Sequence, residues 1–228
     1  MCNQSRYLFI IFISLASWNV WAVHSELSQT GVVDNGSSSI IPAGLFGYHE
    51  IQKQGLSLFP QWLSVLERHL LDVNDAKSCQ STRFNQCHLK QWQRFLESIR
   101  SLPVAQQIRQ VNKYANEKKY ILDIENYGIT DYWATPLEFL TDSGDCEDYA
   151  IIKMLSLKWL GYDVDTMRVV VVQDTNLRIP HAVMAIRSDD DILILDNQIE
   201  EVISHVDIFH YVPVYSVNEN RWWMHVPE

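Results

Sequence analysis

The sequence predicts an α+β fold, with helices first and an antiparallel sheet after them. Three observations predict it. Apolar residues recur at helical spacing from Pro60 to Ala115. A long apolar helix follows, opening at Gly144-Asp145-Cys146-Glu147-Asp148-Tyr149-Ala150 and closing at Leu160-Gly161. Beyond Gly161 the period shortens to that of strands, beginning with the valine-rich run Met167 to Val172.

The first helix is marked by Pro60 at its start and by Trp62, Leu63, Leu66, Leu70 and Leu71 as its apolar face. A second runs from about His88 to Ile99, striped by Leu89, Trp92, Phe95, Leu96 and Ile99. The third begins near Pro103 and carries Val104, Ile108, Val111 and Ala115. These stripes are core faces. Tyr120 to Thr135 connects, with a turn signal at Asn126-Tyr127-Gly128, and Pro136 to Leu140 forms a short helical turn. The helix from Cys146 is apolar on most sides, which places it centrally. Strands then cover His181 to Arg187, Ile192 to Asp196, Tyr211 to Val217 and Trp222 to Val226, with a loop over residues 174–180.

The chain has 228 residues, 47% of them hydrophobic and 20% charged, which suits one globular domain with a sizeable core. A net charge of -10 without a basic patch speaks against a nucleic-acid partner. Residues 1–22 read as a secretory signal: Arg6 is the one charge, Tyr7 to Leu15 is apolar, and Val20-Trp21-Ala22 resembles a cleavage site. The apolar run is short for a membrane span, so no transmembrane anchor is expected after cleavage. Residues 23–49 read as a linker or arm and residues 50–228 as the folded domain. Export makes the cysteine count informative. Cys2 departs with the signal, Cys79 and Cys87 are close enough in sequence either to pair or to stay reduced, and Cys146 is the odd one in the former case.

Cys146 sits where a helix begins, and there free N–H groups and the helix dipole stabilise a thiolate. His181 and Asp196 follow on strands that form a hairpin. With Asp189 and Asp190 as a two-residue loop, Ser188 pairs with Asp191, and His181 and Asp196 become diagonal neighbours on one face, about 7–8 Å apart at Cα. That layout is one of nucleophilic catalysis: Cys146 attacks an acyl carbon, His181 moves the proton, and Asp196 orients the imidazole. The N–H of Cys146 is a candidate oxyanion donor, and the Trp133 indole N–H is a weaker second one. His88, His205 and His210 lack partners at zinc-ligand spacing and read as surface or structural.

The stretch Tyr132-Trp133-Ala134-Thr135-Pro136-Leu137-Glu138-Phe139-Leu140, followed by Gly144-Asp145-Cys146-Glu147-Asp148-Tyr149-Ala150, resembles the bacterial transglutaminase-like cysteine proteinases. The likeness runs from about Pro60 to Val226, and Pro180-His181-Ala182 and Leu195-Asp196-Asn197 match the family's His and Asp motifs. The resemblance implies a papain-like/transglutaminase-like cysteine protease fold with Cys146, His181 and Asp196 as the triad. It also implies a periplasmic endopeptidase that cuts the N-terminal region of a large surface adhesin, under an inner-membrane cyclic-di-GMP receptor that sequesters the protease. Calcium beside the nucleophile is implied as well, with Asp145 and Glu147 as side-chain ligands. The physical reason is that Asp142, Asp145, Glu147 and Asp148 crowd one cysteine, and so many carboxylates oppose a thiolate unless a cation offsets them. Because side chains two apart on a helix diverge, Asp145 must lie in loop geometry for both ligands to converge. Two other readings fit the same residues: an exported transglutaminase or amidase with the same triad, and a non-catalytic calcium-dependent binding module.

Overall fold

The computed structural model describes residues 44–80, 82 and 87–227. The expected signal (residues 1–22) and most of the expected arm lie outside them. Helices α1 (Pro60–Ala76), α2 (His88–Ile99), α3 (Val104–Asn116), α4 (Asp123–Asn126), α5 (Pro136–Asp142) and α6 (Cys146–Leu160) precede most of the sheet. Its strands are β1 (His49–Lys53), β2 (Met167–Asp174), β3 (Ile179–Ser188), β4 (Asp191–Leu195), β5 (Ile203–Ser204), β6 (Tyr211–Val217) and β7 (Trp222–Val226). They form one antiparallel sheet in the order β1-β7-β6-β2-β3-β4-β5.

The pleat of β2 and β3 divides the core in two. Val169, Met184 and Ile186 pack with the helices, while Val170, Val172, Val183 and Ala185 pack with Ile192, Ile194, Tyr211 and Leu45 on the opposite face. Helix α6 lies against β3 and β2 and also touches α2, α3 and α5. That position explains its apolar surroundings: every residue from Cys146 to Leu157 is buried. Gly161, at φ 103°, ends it in the left-handed region that a side chain would strain.

Helix α1 departs from the expected pattern. Trp62 and Val65 are buried, but Leu63, Leu70 and Leu71 are exposed at 41%, 70% and 62%. The inward face continues through two polar residues. The His69 ring packs on Trp92 at 6.1 Å, and Asp72 accepts the Thr135 hydroxyl at 2.6 Å. Apolar periodicity is blind to a face completed by polar groups. The strand β1 was equally hidden, because His-Glu-Ile-Gln-Lys at a sheet edge lacks apolar alternation. Leu45 is fully buried, so the folded part begins inside the stretch assigned to the arm. The loop after β2 is shorter than its expected span of 174–180, because Asp174 pairs with Ile179. Cys79 and Cys87 form a disulfide between the end of α1 and the start of α2.

One core residue is out of keeping. The Lys153 side chain is fully buried in α6, its Nζ has no hydrogen-bond partner, and it sits 5.8 Å from the Tyr149 ring centroid. Burial pushes its amine down to about 7, although Asp196 pulls the other way. The unfolded chain therefore holds a proton that the folded one lacks between pH 7 and roughly 10.4. The destabilisation is complete below pH 7 and fades as pH rises. Lys153→Met is expected to gain about 1–4 kcal/mol at pH 6, and less at pH 9, as read by thermal unfolding at both.

Candidate active site

Three elements build the site: the loop before α5, the start of α6, and the hairpin of β3 and β4. The hairpin register is the expected one. Ser188 pairs with Asp191 and Met184 with Leu195 around a two-residue turn, with Asp189 at φ 53°. His181 and Asp196 meet as diagonal neighbours, Nε2 to Oδ1 at 2.9 Å, and both are 1% exposed.

Asp196 is fully engaged. Its Oδ1 also accepts the Gln198 N–H at 2.9 Å, and its Oδ2 accepts the Tyr211 hydroxyl at 2.6 Å. Asn116 of α3 donates to its backbone carbonyl at 2.8 Å. Burial alone would raise this carboxyl, but the bond and charge of His181, with the Gln198 and Tyr211 donors, hold it below its usual value. Asp196 is thus a carboxylate at neutral pH, and Nε2 of His181 carries the proton it accepts. That leaves the lone pair on Nδ1, where the Gln198 amide nitrogen lies at 3.4 Å. Tyr211 escaped the sequence reading because a hydroxyl at the start of a strand carries no periodic signal, whereas the expected register already sets Gln198 opposite His181.

Cys146 occupies the first turn of α6, the helix that packs against β3. Its Sγ lies 3.2 Å from Glu147 Oε2, and the sulfur is disulfide-bonded in this structure. The start of α6 is held by Asp148, which accepts the Ala134 N–H at 2.7 Å and the Asp145 N–H at 3.1 Å. Gly144 leaves room for that carboxylate, since a Cβ there would come within 2.1 Å of Asp148 Oδ2 and 2.8 Å of its Cβ. Gly144→Ala should therefore evict Asp148, cost at least about 2 kcal/mol, and displace the turn bearing Cys146. Thermal unfolding and peptide cleavage together check this, the second falling with the first.

Around this turn the carboxylates gather. Asp145, Cys146 and Glu147 place ligand atoms within 4.8 Å of one another, as do Asp123, Asp131 and Glu147, and Asp123, Asp145 and Asp148. Asp145 is in extended geometry, φ -113° and ψ -160°, which meets the condition for it to converge with Glu147. Oδ1 of Asp145 and Oδ1 of Asp123 are buried without hydrogen-bond partners. Burial, and then the neighbouring negative charges, push Glu147 and Asp148 well up. Burial likewise raises Asp145, and it raises Asp123 to about 7. Buried oxygen donors with unmet valence and mutual repulsion fit a hard divalent cation. Asp148 spends both oxygens on backbone N–H groups, and Asp142 is absent from these groupings, so Asp123 and Asp131 are the better partners for Asp145 and Glu147. Sequence reasoning missed Asp123 and Asp131, which fold back onto the site from a stretch that reads as a plain turn. The Trp133 indole N–H is not the second oxyanion donor: it donates to Asp131 Oδ1 at 3.1 Å.

The family described as bacterial transglutaminase-like cysteine proteinase matches residues 74–228. Among solved structures, Legionella pneumophila LapG is similar at 29% identity and a TM-score of 0.58, covering 68% of this chain and 86% of that one. Its calcium-bound form is similar at 28% identity with the same TM-score and coverage. The EGTA-treated form gives 29% identity and a TM-score of 0.58, covering 68% of this chain and 84% of that one. No curated protein sequence matches the chain.

Proposed function

We propose, from the premise that this chain belongs to the bacterial transglutaminase-like cysteine proteinases, that Cys146, His181 and Asp196 are its catalytic triad. The observation that carries this reading is the buried His181–Asp196 pair, set on the strand against which the Cys146 helix packs. The nucleophile is the reduced thiol, in a chain that has lost residues 1–22. Its proton passes to His181 Nδ1, and sulfur attacks the scissile carbonyl carbon. The Cys146 N–H, at the first turn of the helix, is the proposed donor to the developing oxyanion. Collapse expels the amine, which takes the proton from His181, and leaves a thioester. Water, deprotonated by the same nitrogen, releases the acid product and restores the thiol. Asp196 keeps the imidazole in one tautomer and offsets its positive charge while the proton is held there.

Asp145 and Glu147 are the proposed side-chain ligands of a calcium ion, with Asp123 and Asp131 able to complete them. The cation's contribution would be to offset the carboxylate field next to the thiolate and fix the turn that carries it. The calcium-bound LapG structure supports the assignment, as do the buried Oδ1 atoms of Asp145 and Asp123, which have no hydrogen-bond partner.

The likeness to LapG also supports the finer reading: a periplasmic endopeptidase that cuts the N-terminal region of a large surface adhesin and so controls biofilm attachment. Its second partner would be an inner-membrane cyclic-di-GMP receptor that sequesters it. Among the described residues no helix is long and apolar enough to cross a membrane. The test is incubation of the reduced, processed protein, with calcium, on the surface proteins of its own cells. Release of one large adhesin with a new N-terminus supports the reading. Absence of any new N-terminus, or the same release by Cys146→Ala, rejects it.

A further inference from the structure

On the sheet face opposite α6 lies a cavity of about 280 Å³, walled by β1, β7, β2, β3 and β4 and the turn before β2. Arg187 at its mouth is six residues along β3 from His181, roughly 20 Å away, so the cavity is separate from the proposed active site. Its charged lining consists of Arg168, Arg187, Arg221, Glu50 and Asp165. Three guanidinium groups against two carboxylates leave one positive charge, in a chain whose net charge is -10.

The three arginines differ in how far they are satisfied. Arg168, 8% exposed, is tied to Glu50 at 2.7 Å and rests on the Trp223 ring at 4.8 Å. It is a fixed wall. Arg221 reaches Asp165 at 2.7 Å and Gln52 at 3.5 Å, yet its Nε is buried without a hydrogen-bond partner. Arg187 is exposed and makes no ion pair among the described residues. The Arg187 guanidinium and the Nε of Arg221 therefore line one polar cavity without an ion-pair or hydrogen-bond partner among the described residues, and a planar guanidinium fork selects an oxyanion.

We propose that this cavity binds the carboxylate of an acidic side chain presented by a polypeptide. The charge decides between oxyanions. One surplus positive charge balances a carboxylate, whereas a phosphate would bring close to two negative charges beside Glu50 and Asp165. The polypeptide follows from the position of β1. It is the first strand of the sheet, and among the described residues nothing pairs with its outer side. Glu50 and Gln52 lie both on this strand and on the cavity wall. An extended segment added to β1 would present alternate side chains to the cavity face.

The test is calorimetric titration of the processed protein with a capped Gly-Glu-Gly-Glu-Gly-Glu peptide, its Gln counterpart, succinate and inorganic phosphate. The Glu peptide is expected to bind at least tenfold tighter than the Gln peptide. Arg187→Gln and Arg221→Gln should each weaken it tenfold or more, and Cys146→Ala should leave it unchanged, so the result is independent of the chemistry at Cys146. Equal binding of the Gln peptide, undiminished binding by Arg187→Gln, or no binding at all overturns the proposal. Tighter binding of phosphate overturns the carboxylate class, and succinate as tight as the peptide overturns the polypeptide source.

Discussion

Exhaustive chelation is expected to silence peptide cleavage by a hundredfold or more, and added calcium to restore it in the wild type but not in Asp145→Ala. The expectation comes from charge at short range. Glu147 Oε2 is 3.2 Å from the Cys146 sulfur, and Asp145 belongs to the same close grouping. A carboxylate about 4 Å from a thiolate opposes it by roughly 4 kcal/mol in surroundings of intermediate polarity, which is nearly a thousandfold in the thiolate population. The acids can escape that repulsion by taking up protons, as the upward shifts of Asp145 and Glu147 indicate. Protonated acids then hydrogen-bond to one another and no longer fix the first turn of α6. Either route lowers the rate. Turnover that survives chelation, in protein shown to be free of metal, would leave these acids a purely structural role.

His181→Ala is expected to lower kcat by about four orders of magnitude, and Asp196→Asn by about ten- to a hundredfold less than that. Removing His181 takes away both the base for the thiol and the acid for the leaving amine. The Asn substitution removes less. Its amide oxygen can still accept at the Oδ1 position, where His181 Nε2 and the Gln198 N–H converge at 2.9 Å. Its NH2 would then face the Tyr211 hydroxyl, which can turn and accept. What is lost is the negative charge that offsets imidazolium. Single-turnover rates with one peptide substrate give both numbers. Equal losses for the two variants would mean that the charge of Asp196, and not its geometry, carries its effect.

Much of this site was legible before any coordinates, and the reason is local. Helix α6 declares itself by an apolar run between an acidic start and Gly161, and a helix N-terminus needs no distant residue to define it. His181 and Asp196 could be brought together on paper because a hairpin with a two-residue turn leaves one register, which the Ser188–Asp191 pair confirms. What failed was whatever depended on sequence-distant partners. Asp123 and Asp131 reach Glu147 through the fold-back of the chain before α5, and no spacing rule reports that approach. The inward face of α1 runs through His69 and Asp72, so leucines at better-looking positions drew the apolar stripe to the solvent side. Trp133 as a second oxyanion donor fails likewise, since its indole N–H donates to Asp131 and the ring is buried. The α+β architecture, with the Cys146 helix packed on an antiparallel sheet, is what the helix-then-strand order indicated, and its papain-like/transglutaminase-like character is what the family resemblance implied.

The central claim is that Cys146 carries the acyl group. Rapid acid quench of the reduced, calcium-loaded protein with a peptide substrate, followed by digestion and mass analysis, tests it most directly. A transient mass increase equal to the acyl half of the substrate should appear on the peptide containing Cys146. It should be lost on treatment with hydroxylamine and be absent, with all cleavage, from Cys146→Ala. An acyl adduct on another residue, or cleavage by Cys146→Ala at the wild-type position, would contradict the account.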